Sequence, residues 1–189
     1  THVLRMQKSL TEMNIQLHNV ISDITGVTGT AIIKAILDGE RNPVTLANLR
    51  HDRIKSSEDV IAKSLQGDYR EEQMFILKQE FESYHFYQQQ IESLDKVIEA
   101  RYNTFDKQAN KEPLKKKKRK SATSSNVPKF NLRESLYVFT GVDFTAIPGL
   151  SELTVQTIVA EIGTDMSKWP TEKHFTSWLG LSPANKISG

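Results

Sequence analysis

The stretch Ile147-Pro148-Gly149-Leu150 lies between two helical segments and has the form of a helix-hairpin-helix turn. Glycine permits the tight turn, and the N–H groups that open the next helix face outward with the positive end of the helix dipole behind them. Such a site suits a phosphate oxygen and reads the shape of a nucleic-acid backbone rather than its bases. Gly149, Leu150 and Ser151 are therefore candidate nucleic-acid contacts, with a plain connector between two helices as the alternative. The second candidate is the run Lys115, Lys116, Lys117, Lys118, Arg119 and Lys120, followed by Ser121-Ala122-Thr123-Ser124-Ser125-Asn126. A like-charge block beside a serine-rich stretch is a solvated linker. It can also touch phosphates through sequence-independent electrostatics, or act as a nuclear-localisation run. These three readings remain open on the residues alone.

Other chemistries find little support. The chain has no cysteine, which excludes disulfides and thiolate metal sites. His2, His18, His51, His85 and His174 are scattered without a partner at ligand spacing, so no metal site is expected. No phosphate-cradling glycine loop ending in Lys-Ser or Lys-Thr is present. No apolar run reaches the roughly 18 residues that a membrane span needs, so no membrane partner is expected. The 189 residues suffice for one or two small domains, with 38% hydrophobic and 25% charged residues as in ordinary globular chains. Net charge is only +2. Thr1 at the start and Gly189 just inside a motif make the chain read as an internal piece of a longer protein.

The elements that must position these residues all read as helices. Met6, Leu10, Met13, Leu17 and Val20 line one face of a helix over 2–21. Ile24-Thr25-Gly26-Val27-Thr28-Gly29 makes a glycine turn, followed by helices near 30–37, 44–49 and 52–65. From Tyr69, the residues Met74, Leu77, Phe81, Tyr84, Gln88, Ile91, Asp95, Ile98, Tyr102 and Phe105 keep a strict three-four spacing with no Gly or Pro between them. That heptad seam predicts a coiled coil of about 38 residues, roughly 57 Å long, through which chains self-associate; a long core helix of a monomeric bundle is the alternative. Gln88 and Asp95 interrupt the seam with polar groups, which often fix register or partner. Beyond the linker, helices are predicted over 131–140, 152–162 and 172–179, with Gly180 as a C-cap. The expected architecture is all-α: a helical region over 1–66, the long helix over 67–110, the linker over 111–127 and a hairpin-type domain over 128–189. Ile24–Leu37 also aligns without gaps on Ile147–Ala160, which reads either as a repeated hairpin or as chance likeness between two amphipathic helices.

Longer stretches carry a resemblance. Arg5-Met6-Gln7-Lys8-Ser9-Leu10, Val20–Gly29, Ile32-Ile33-Lys34-Ala35-Ile36 and Tyr69-Arg70-Glu71-Glu72 are similar to the middle of insertion-sequence transposases of the IS-one-ten group (IS116/IS110/IS902 type). Gly141–Leu150, Ala160-Glu161-Ile162-Gly163 and Trp178-Leu179-Gly180-Leu181-Ser182-Pro183 resemble that group's C-terminal domain. The resemblance implies a DNA transposase or recombinase that moves its own element, with this piece inactive alone. It implies Mg²⁺ held by four acidic residues of an RNase-H-like domain not represented here. It further implies a guide RNA made by the element, DNA partners at the element ends and target, and active sites formed between subunits. Pro183-Ala184-Asn185-Lys186-Ile187-Ser188-Gly189 matches the family's serine-bearing stretch, which makes Ser188 the implied nucleophile and leaves Ser182 as its rival. The implied setting is the cytoplasm of a bacterium or archaeon, associated with the nucleoid. The competing reading is a non-catalytic helix-hairpin-helix module with a coiled-coil dimerisation helix.

Overall fold

A computed structural model describes residues 1–106, 114 and 127–180. Among them every regular element is helical, as expected. The chain forms two compact units, Thr1–Ile91 and Glu92–Gly189.

The first unit contains α1 (His2–Glu12), α2 (Leu17–Val20), α3 (Val27–Leu37), α4 (Pro43–Ala47), α5 (Glu58–Ser64) and the front part of α6 (Glu71–Asn103). The expected continuous helix over 2–21 is instead broken. Asn14 adopts a left-handed conformation with φ 59°, which a short amide side chain tolerates. The break turns Ile15 and Leu17 into the core beside Met6, Leu10 and Met13, all of them buried. A straight helix would place Ile15 on the side opposite the Met6–Leu10–Met13 face, about 170° away. Met13 carries the other half of the explanation, because its carbonyl accepts from Asp68 N–H at 3.1 Å. Gly67 passes so close there that a Cβ would lie 2.3 Å from the Met13 oxygen and 2.6 Å from Ile15 Cγ1.

Short helices in this unit start where capping side chains permit. Asn42 accepts from the N–H groups of Val44 and Thr45, with Pro43 at the first helical position. Ser57 accepts from Val60 N–H, so α5 begins at Glu58 rather than near 52. Their buried faces join one core of Ile32, Ile33, Ile36, Leu46, Ala47, Ile61 and Leu65. The front of the long helix completes it: Leu77 is fully buried, and Met74, Phe81 and Tyr84 pack on it. His2 and Arg5 of α1 also reach Glu80 of α6, at 2.5 and 3.1 Å.

The second unit contains the end of α6, α7 (Leu132–Thr140), a single 3-10 turn over Phe144–Ala146, α8 (Glu152–Ile162), a second such turn over Met166–Lys168 and α9 (Glu172–Trp178). Asn131 caps α7 through Glu134 N–H, and Gly141 ends it in the left-handed conformation with φ 75°. Its small core is Leu132, Leu136, Val155 and Val159, with Tyr102, Phe130, Phe139, Phe144 and Leu150 packed against it. Phe105 stacks on Phe139 with ring centroids 4.4 Å apart. Asp95, read from the sequence as a polar interruption of the seam, is buried and accepts from Lys129 N–H at 2.9 Å.

Candidate nucleic-acid interface

The hairpin before α8 is built from a turn and a tether. Leu150 N–H donates to Ile147 O at 3.2 Å, with Pro148 and Gly149 between them and φ 91° at Gly149. Proline followed by a residue with positive φ is the pattern of a type II turn. A Cβ on Gly149 would meet nothing within 4 Å, so conformation alone demands the glycine. The tether is Arg133 of α7. It donates to Asp143 Oδ2 at 2.6 Å and to Thr145 Oγ1 at 3.1 Å, while Thr145 Oγ1 donates to Asp143 Oδ1 at 2.7 Å. The Arg133 hydrogen bond holds the Asp143 carboxyl below the usual carboxylate range, against the opposing effect of burial.

The start of α8 is partly satisfied from within. Ser151 Oγ accepts from Thr154 N–H at 3.1 Å, and Glu152 places a carboxylate in the first turn. Both compensate the helix dipole. No Lys or Arg occurs between Asp143 and Thr154. Any pull on an anion here comes from backbone N–H groups and not from side-chain charge.

The N-terminal turn is built differently. Gly26 caps α3 with an ordinary φ of −72° and no side-chain cap, and α3 starts at the next residue. Gly29 is fixed by a close approach, since a Cβ there would lie 2.2 Å from Ile24 O. Thr28 Oγ1 accepts from His51 N–H at 2.9 Å, which ties the 50–55 loop to the helix start. The gapless alignment of the two hairpins therefore holds on the core face, where Ile32 and Ile36 are buried as Val155 and Val159 are. It fails at the turns: Ile24 is 2% exposed and Ile147 51%, and α8 starts three residues after its turn glycine rather than one. The shared pattern reflects two amphipathic helices more than one repeated hairpin.

Along α6 the heptad seam is already partly engaged within the chain, by Leu77 and Phe81 in the first unit and by Asp95 and Tyr102 in the second. A neighbouring stripe is open. Tyr87, Ile91 and Leu94 are exposed at four-three spacing, with Phe86 and Val97 also exposed. Tyr87 stacks on His2 at 5.5 Å and meets Phe86 edge-on at 5.6 Å. Of these residues sequence periodicity named Ile91 alone, because a helix with two apolar faces gives one spacing rule two solutions.

Also missed was an aromatic cluster at the end of the second unit. Trp169 lies 5.1 Å from Phe175 and 5.2 Å from Trp178, ring centroid to centroid. The rings of Phe175 and Trp178 are nearly parallel, at 17° and 6.4 Å. The signal was present as Trp169, Phe175 and Trp178 within ten residues. Of the other expected site residues, Lys115, Lys116, Lys117, Lys118, Arg119, Lys120 and Ser188 lie outside the described residues, as does Ser182. Among the described residues no three His, Asp or Glu side chains come together in a way that could hold a metal ion, so the implied Mg²⁺ finds no ligand set there. No described helix is long and apolar enough to cross a membrane.

Residues 143–189 match the model of the transposase IS116/IS110/IS902 family. The match begins at Asp143, the residue tethered by Arg133, and runs through the hairpin, α8, the aromatic cluster and the serine-bearing stretch. It covers about a quarter of the chain and agrees with the resemblance seen in the sequence. No curated protein and no solved structure matches the chain.

Proposed function

We propose that this chain is the helical middle and C-terminal segment of an insertion-sequence transposase that cuts and rejoins DNA as a multimer. The observation that carries the reading is the family match over residues 143–189. Ser188 falls inside it and is the proposed nucleophile. Its hydroxyl attacks a DNA phosphate, the serine Oγ–P bond forms as the P–O bond to the leaving strand breaks, and the proton passes to a base. The resulting ester conserves the bond energy needed for rejoining, which a recombinase requires and a nuclease does not.

The remaining parts hold DNA and join subunits. Gly149, Leu150 and Ser151 offer backbone donors to a phosphate, and Lys115 to Lys120 supply charge to the same polyanion. The partners are DNA at the element ends and target, a guide RNA made by the element, and a second copy of the chain. The second copy docks on α6, within residues 69–105, at side chains left exposed such as Tyr87 and Ile91, because the front of the heptad seam is committed to the first unit's own core. The reading places the protein in the cytoplasm, with the nucleoid DNA on which it acts.

The test uses the parent transposase and a suicide DNA substrate that cannot religate. Ser182→Ala should still give a covalent protein–DNA adduct and Ser188→Ala should not. An adduct that persists in Ser188→Ala would refute the assignment.

A further inference from the structure

The chain has two tryptophans, Trp169 and Trp178, and both belong to the aromatic cluster beside α9. Trp178 is 55% exposed although it stacks on Phe175. The exposed face is therefore the one turned away from the cluster. An aromatic plane held on its inner side by two other rings loses little freedom when a flat partner covers the outer side. Basic residues interleave with these rings in the order Lys168-Trp169 and Lys173-His174-Phe175, and Lys168, Lys173 and His174 are exposed. The one carboxylate of the preceding turn, Asp165, is occupied in accepting from Ser167 N–H at 2.9 Å. Flat rings for stacking, with Lys168 beside Trp169 and Lys173 two residues from Phe175 to meet phosphates, are what a strand with unpaired bases requires and what a closed duplex cannot use.

We infer that Trp178, backed by Phe175 and Trp169, stacks on an unpaired base of single-stranded DNA. The inference rests on the transposase reading, in which strand exchange exposes unpaired bases, and it names the form of DNA that this face takes. It assigns to the face a role that the hairpin at Gly149 cannot fill, since backbone N–H groups meet phosphates and not bases.

Because both tryptophans lie in the cluster, the tryptophan emission, excited where the five tyrosines do not absorb, reports on this face. Titration with oligothymidylate should quench that emission, and a duplex of the same length should quench it much less. Trp178→Ala should weaken oligothymidylate binding by about 5- to 150-fold, the range for removal of one stacked base. Trp178→Phe should restore most of it, which a merely structural role for the indole would not predict. Equal oligothymidylate affinity for Trp178→Ala and the unaltered chain would overturn the inference. So would quenching by duplex equal to that by single strand. Duplex binding that survives while oligothymidylate fails would overturn this inference and leave the proposed function standing; failure of both would remove the DNA reading as well.

Discussion

Truncating Leu77 to alanine should destabilise the first unit, even at concentrations where no dimer forms. Leu77 sits in α6 but is fully buried in the core made by α1 to α5. Removing a fully buried leucine leaves a cavity and costs about 3 to 5 kcal/mol. For a unit of this size each kcal/mol lowers Tm by about 4–8 °C, so the midpoint should fall by more than about 10 °C. Leu94, on the same helix and 59% exposed, should behave in the opposite way. Leu94→Asp should leave the midpoint within a few degrees while sedimentation shifts from dimer to monomer. Thermal unfolding followed by circular dichroism across a hundredfold dilution series separates the two effects. A Leu77→Ala destabilisation that disappears on dilution would show the side chain to be buried by a partner helix and not by its own unit.

Glycine substitutions test the N-terminal turn. Gly29→Ala should cost several kcal/mol or prevent folding, because the new Cβ would lie 2.2 Å from backbone, whereas Gly26→Ala, at 3.4 Å, should cost under about 1 kcal/mol in urea unfolding. The Arg133–Asp143 pair makes a pH prediction. The folded-state pKa of Asp143 is depressed, so its stabilisation is present above the unfolded value near 3.8 and is lost as pH falls through the lower folded value. The second unit should thus lose on the order of 1 kcal/mol on acidification below about pH 4, and Arg133→Ala should remove that dependence in acid unfolding curves. Neutralising Lys115 to Lys118 should flatten the slope of log affinity against log salt by about 0.7 to 0.9 for each phosphate no longer neutralised; an unchanged slope would make the run a linker only.

Much of the fold was legible because capping and periodicity agree locally. Asn42-Pro43, Asn131 and Gly141 each stand where helices begin or end. The break after Glu12 was not legible, since it depends on Asp68 and Gly67 arriving from far along the chain. The burial of Asp95 was hidden for the same reason, because its partner Lys129 lies beyond the linker. At the candidate site, Pro148-Gly149 gave the turn correctly, but Ser151 turned out to cap its own helix. Spacing cannot tell a serine that serves its own backbone from one left for a ligand.

The crossing of Gly67 over Met13 also sets an order of events in folding. Joining Met13 to Asp68 closes a loop of about 55 residues, at an entropic cost near ~3.5 kcal/mol before any core packing can compensate. The short helices between cannot offset that cost alone, since their apolar faces converge on side chains at both ends of the loop, from Met6 to Leu77. On the ribosome, the first unit must therefore wait until the opening turns of α6 have left the exit tunnel. Until then its isoleucines stay exposed, and pauses in synthesis just before that point should be the ones most prone to aggregation.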